Sequence, residues 1–135
     1  MAKYAFPAVF RPAPEDEGGY TVKFPDIPNC FTEGESIADA LEAAADALCL
    51  MLYDMEENGA AIPDPSSVSE LHANNGEIVS LVACDTLEYR KFFDKKAVKK
   101  TLTIPNWLNI MAERNGVNFS AVLQDALIAK LNLNP

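Results

Sequence analysis

The last 38 residues carry one strand-like alternation followed by two helical stripes, with no second strand for the first to pair with. Over 98–105 the even positions Val98, Leu102 and Ile104 are apolar, interrupted by Lys100, and the odd positions Lys99, Thr101 and Thr103 are polar. Asn106–Asn115 places Leu108, Met111 and Ala112 on one helical face and stops at Gly116. Asn118 is positioned to cap a second helix whose inner stripe is Val122, Leu123, Ala126, Leu127 and Leu131. A segment below about 40 residues rarely buries enough apolar surface alone. A lone strand also leaves backbone N–H and C=O groups that must be paired. Two copies pairing their strands antiparallel about a two-fold axis, over four helices, meet both demands. The expected core of that dimer is Leu102, Ile104, Trp107, Leu123 and Leu127. Lys99, Thr101 and Thr103, with Lys100 beside them, then line a two-stranded ribbon that fits a DNA major groove. Asn118-Phe119-Ser120, at the start of the second helix, offers N–H groups to phosphate.

Charge divides the chain near the same place. The 135 residues carry a formal −9, which as an average argues against a nucleic-acid partner. Residues 1–94, however, hold 18 acidic against five basic side chains, a net of −13, and residues 95–135 hold six basic against two acidic, a net of +4. The expected modules are residues 1–92 and residues 97–135. A hydrophobic content of 49% excludes a wholly disordered acidic chain. The longest apolar run, Ala47–Tyr53, is far short of a membrane span, and Met1-Ala2-Lys3-Tyr4 lacks a signal-peptide layout, so a cytoplasmic protein is expected. Cys30, Cys49 and Cys84 are odd in number and lack CxxC spacing, and read as buried small hydrophobes rather than zinc ligands or a disulfide framework.

Upstream, Tyr4–Phe10 and Tyr20–Phe24 alternate as strands around a turn closed by Gly18-Gly19 and the acidic loop Glu15-Asp16-Glu17. Pro25–Asn29 is a bend and Cys30–Glu33 a short third strand. Ser36 and Asp39 form a capping box for a helix that runs to about Asn58, with Ile37, Leu41, Ala44, Ala45, Leu48, Leu52 and Met55 as its apolar stripe. Glu77–Cys84 is apolar on both faces, which predicts a strand covered on both sides. The expected order of the first module is β-β-β-α-β.

Two stretches carry a family resemblance. Lys99–Pro105, followed by a helix, Gly116 and Asn118-Phe119-Ser120, resembles the ribbon–helix–helix family of dimeric repressors. Gly18–Ser36, continuing into Ala40-Leu41-Glu42-Ala43-Ala44, resembles the amino-terminal half of HicB antitoxins, which combine these two modules in this order. The resemblance implies an α+β chain: a small partial ribonuclease-H-like β-β-β-α-β domain, then a dimeric ribbon–helix–helix domain. It implies that the first domain binds and blocks a small basic HicA-like mRNA-cleaving toxin and that the second binds operator DNA. It further implies a homodimer through the C-terminal domain, with a dimer of dimers open to it, and no membrane partner or cofactor. Where many ribbon–helix–helix proteins have Arg or Lys just after the second cap, this chain has Phe119.

Plainer readings compete at each position. Lys99, Thr101 and Thr103 also suit an exposed edge strand, and an acidic surface also serves solubility. Asp26, Glu33 and Glu35, clustered around the bend and third strand, are the candidate toxin contacts. A metal-dependent ribonuclease would need several carboxylates converging on Mg²⁺. Tyr4–Phe10 holds none, and Asp26 and Asp85 are two scattered candidates, so neither catalytic residues nor a metal site are expected. The remaining alternative is a stand-alone repressor with a ligand-sensing first domain.

Overall fold

The computed structural model describes residues 3–15 and 17–133. Met1, Ala2 and Asp16 of the acidic loop lie outside the described residues. The chain divides into two compact units, residues 1–96 and 97–135.

The first unit is an antiparallel sheet with one long helix on one face. Strands β1 (Lys3–Pro12), β2 (Tyr20–Lys23), β3 (Phe31–Gly34) and β4 (Ile78–Asp85) lie in the order β3-β2-β1-β4. The register sets Phe10 opposite Val22 and Phe6 opposite Val82, so alternate residues of each strand share the inward face. Onto it packs α1 (Ile37–Glu57), capped by Ser36 Oγ accepting from the Asp39 N–H at 3.1 Å. The core is Phe6, Ala8, Phe10, Val22, Phe24, Ile27 and Val82 from the sheet side, with Ala40, Ala44, Leu48 and Leu52 from the helix. Cys30 and Cys84 are buried and all three cysteines are free thiols. Burial pushes the Cys30 thiol up to about 11, in keeping with an inert packing role.

The helix buries Ala44, Leu48 and Leu52 of the expected stripe, but its first turns are rotated: Ala40 is buried, whereas Ile37 and Leu41 are exposed. Gly34 explains the shift: a Cβ there would stand 2.3 Å from the backbone N of Ala40, so helix and sheet touch too closely for bulk between them. The β4 expectation is also corrected. It is an edge strand covered on one side, with Val82 and Cys84 inward and Ile78 and Leu81 exposed.

An eight-residue helix, α2 (Thr86–Phe93), follows β4 and was not expected. Asp85 caps it, Oδ1 accepting from the N–H groups of Leu87 at 3.0 Å and Glu88 at 3.3 Å. The carboxylate of Glu56 joins three elements at this end of the unit. Its Oε2 accepts from Tyr4 Oη and from Thr86 Oγ1, both at 2.9 Å, and its Oε1 accepts from Arg90 Nη2 at 3.1 Å. Arg90 also pairs with Glu57 and lies over the Tyr53 ring. Burial alone would raise the Glu56 carboxyl, but donors that include Arg90, Thr86 and Tyr4 outweigh it and hold it at about 2.

In the second unit, α3 (Asn106–Arg114) and α4 (Phe119–Lys130) are joined by a tight turn. Gly116, at φ +64°, lets Val117 donate back to the Ala112 carbonyl at 3.1 Å, closing the helix end. The segment 98–105, expected as a strand, forms no ladder among the described residues. A hydrogen-bonded strand needs a neighbour, and the described residues of this unit contain none.

Glu56 titrates lower in the folded than in the unfolded chain. Its stabilisation is therefore complete above the ordinary carboxylate value of 4.5 and drains as pH falls towards 2. Glu56→Gln is expected to cost about 2 kcal/mol at pH 7, as a charged partner is lost from a half-buried network. Urea titrations between pH 2 and 7 check this: the variant loses less stability on acidification than the parent.

Candidate partner-binding sites

Lys99, Lys100, Thr101 and Thr103 are all exposed on the segment that precedes α3. Asn118, Phe119 and Ser120 are exposed at the start of α4. Asn118 Oδ1 accepts from the Ala121 N–H at 3.1 Å, so its side chain closes the helix start. What Asn118 leaves for a phosphate is the positive end of the helix and its first-turn N–H groups.

The apolar side chains of this unit are placed quite differently from those of the first. None of its described residues is buried. Leu102 is 62% exposed and Trp107 67%, and Ile104 and Leu127 are exposed as well; Leu123 is half-buried. The five positions expected to form a dimer core are thus available in one copy rather than used by it. An apolar surface of this extent on so few residues marks a contact surface.

The three candidate carboxylates of the first unit do not converge. Asp26 is half-buried and turned inward, Oδ2 accepting from the Ser66 N–H at 2.9 Å and Oδ1 from Ser66 Oγ at 2.5 Å. It pins the bend between β2 and β3 to the proline-rich connector. Glu33 stands on the sheet face away from α1, opposite Thr21, and lines an open groove of about 1050 Å³ with Arg11, Lys23, Phe31, His72 and Glu77. Glu35 is exposed beside the α1 cap and does not line that groove. Signs are mixed on the groove, since Arg11 Nε donates to Glu77 Oε2 at 3.0 Å.

Both carboxylates weighed for metal chemistry have local structural work, Asp26 with Ser66 and Asp85 as the α2 cap. Among the described residues no group of three His, Cys, Asp or Glu side chains could hold a metal ion. No helix among them is long and apolar enough to cross a membrane.

A second surface escaped the sequence reading. Between α1 and α2 lies a depression of about 420 Å³ lined by Thr32, Ala43, Asp46, Ala47, Leu50, Tyr89 and Phe93. It depends on α2, for which no helix was expected. Asp85 followed three residues later by Glu88 is the local signal that locates this helix.

A family profile described as HicB_like antitoxin of bacterial toxin-antitoxin system matches residues 6–126. The chain belongs to the HicB-like antitoxin family. It is 37% identical over 97 residues to Antitoxin HicB of Escherichia coli (strain K12), covering 72% of this chain and 68% of that protein. Among solved structures it is similar to one titled a toxin–antitoxin complex from Streptococcus pneumoniae. That match has 29% identity and a TM-score of 0.62, over 95% of this chain and 99% of the other. It is also similar to the Burkholderia pseudomallei antitoxin HicB, at 25% identity and a TM-score of 0.54, over 95% of this chain and 98% of that one. The HicB-like chain is accordingly an antitoxin of a bacterial toxin–antitoxin system, and its family points to a regulatory protein that performs no catalysis.

The hydrogen bonds separate structural from surface carboxylates, and stability measurements check the distinction. Asp26→Ala is expected to lower the urea-derived stability by about 1–3 kcal/mol, as two bonds to a charged group are lost. Glu33→Ala and Glu35→Ala are expected to change it by less than about 0.5 kcal/mol.

Proposed function

We propose that this antitoxin works in the cytoplasm through two modules with separate partners. Residues 1–92 form a partial ribonuclease-H-like domain that binds a small basic HicA-like toxin and occludes the site with which that toxin cleaves mRNA. Residues 97–135 form a ribbon–helix–helix domain that dimerises, binds the operator of its own operon and represses it. Inhibition of the toxin is steric and electrostatic, with no covalent change to either protein.

The observation that carries this reading is the contrast between the two units. The first buries a complete core and carries nearly all the acid of the chain; none of the second's described residues is fully buried, and it is basic. A second copy laid on the exposed faces of Leu102, Ile104 and Trp107 supplies both the missing core and the missing strand. The odd positions of the paired strands then face outward, and Lys99, Thr101 and Thr103 are the residues on them. Thr and Lys hydroxyls and amines bond base edges and phosphates there, while the N-terminus of α4 takes a further phosphate. The likeness to a toxin–antitoxin complex over 95% of the chain supports a toxin as the partner of the acidic unit.

The acidic unit suits a basic toxin for a kinetic reason. A net charge of −12 over residues 1–92 raises the encounter rate with a cation and loses that advantage as salt rises.

Replacing Thr101 and Thr103 together by Ala is expected to weaken operator binding at least about tenfold in a gel shift while leaving the assembly mass unchanged. Undiminished operator affinity contradicts the ribbon assignment. Ile104→Asp is expected to reduce the solution mass to that of one chain, 14.7 kDa, because pairing would bury an uncompensated charge. Light scattering of the two proteins at equal concentration checks it.

A further inference from the structure

The depression between α1 and α2 has the composition of a protein-binding site rather than of a core edge. Its floor is small, Ala43 and Ala47 at helical spacing, and its walls are Leu50, 55% exposed, with Tyr89 and Phe93. Beside it Phe92 and Phe93 are 68% and 63% exposed, a large aromatic area to leave in water. These rings are held in place. Tyr53 and Tyr89 stand 5.4 Å apart between centroids, Tyr89 and Phe93 4.4 Å, and Phe92 and Phe93 4.8 Å. Arg90 fixes the inner end of the series, 4.5 Å over Tyr53 and bonded to Glu56 and Glu57. Exposed aromatic groups that are already ordered make low-cost anchors for a partner.

Charge around the depression has one dominant sign. Asp46 lines it, and Asp39 and Glu42 continue along α1 at spacings of four and three residues, all exposed. No cation among the described residues lines it; on and just after α2, Arg90 is held by two glutamates, Lys91 is bonded to Glu88 at 2.8 Å and Lys95 lies 5.6 Å over the Phe92 ring. The groove on the other face of the sheet, though larger, carries both signs: Arg11 is paired with Glu77, and Lys23 and Glu33 line it as well.

We propose that this α1–α2 surface is where the cationic partner docks, an apolar side chain of that partner entering between Leu50, Tyr89 and Phe93 while its basic groups meet Asp39, Glu42 and Asp46. This rests on the reading of the first unit as the toxin-binding module and names the face it uses. The centre of the contact is apolar and supplies most of the affinity; the acidic rim supplies orientation and speed.

The test uses the intact chain and, as probe, a purified small basic HicA-like toxin. Affinity is measured by calorimetry at two salt concentrations for the parent, for Leu50→Asp and for the double variant Glu42→Lys, Asp46→Lys. Leu50→Asp is expected to weaken binding about thirtyfold or more. The double variant, altered only at exposed positions and therefore safe for folding, is expected to lose most of the salt dependence shown by the parent. Both are expected to retain the parent's operator affinity and solution mass. Wild-type affinity and salt dependence in both variants overturn the assignment of this face but leave the toxin-binding reading intact. A change in mass or operator affinity in Leu50→Asp also overturns it, because the face then serves a second copy or the chain's own second unit. Failure of the parent to bind the basic protein overturns the toxin-binding reading itself.

Discussion

Backbone groups on 98–105 and the apolar faces of α3 and α4 cannot be satisfied by one copy of residues 97–135. The DNA-binding account depends on that deficit. Thirty-nine residues with one extended segment and two short helices offer no strand to complete a ladder and no layer to cover Trp107. In the proposed dimer a second copy would provide both at once, through one two-fold axis. The polar face of the proposed ribbon is then what pairing would leave outside, with Lys99, Thr101 and Thr103 on it and Leu102 and Ile104 turned away.

The first unit has the opposite problem and solves it alone. Its core is closed by the sheet and α1, and the Glu56 carboxylate draws β1, α1 and α2 together through Tyr4, Thr86 and Arg90. A charge so well supplied with donors stays ionised, which keeps Arg90 over Tyr53 and the aromatic series of α2 in order. Internal electrostatics thus sets up the surface on which a partner can act. The remaining carboxylates lie outside, where they cost the fold little and give the unit its net −11.

Local patterns were readable where a single element determined them. The alternation of β1 and β2, the Ser36 cap and the Gly116 stop each involve neighbours in sequence, and the structure contains all of them. Features set by distant packing were not. The buried stripe of α1 is turned towards Ala40 because Gly34 brings the strand against it, a contact no helical periodicity contains. Ile78 and Leu81 make β4 look buried on both sides, but its place at the sheet edge decides otherwise. Asp26 resembled a surface acid until Ser66, 40 residues away, was found bonded to it. Helix α2 is short, and its Arg90 is held by Glu56 and Glu57 of α1, partners far away in sequence.

Amide hydrogen exchange over 98–104 in the intact chain tests the central claim most directly. A paired ribbon predicts slow exchange of the amides that bridge the two strands, weakening as the protein is diluted towards single copies. Rapid exchange along the whole segment at concentrations where the chain is associated would contradict it, and would leave Lys99, Thr101 and Thr103 on a segment with no ribbon to present them.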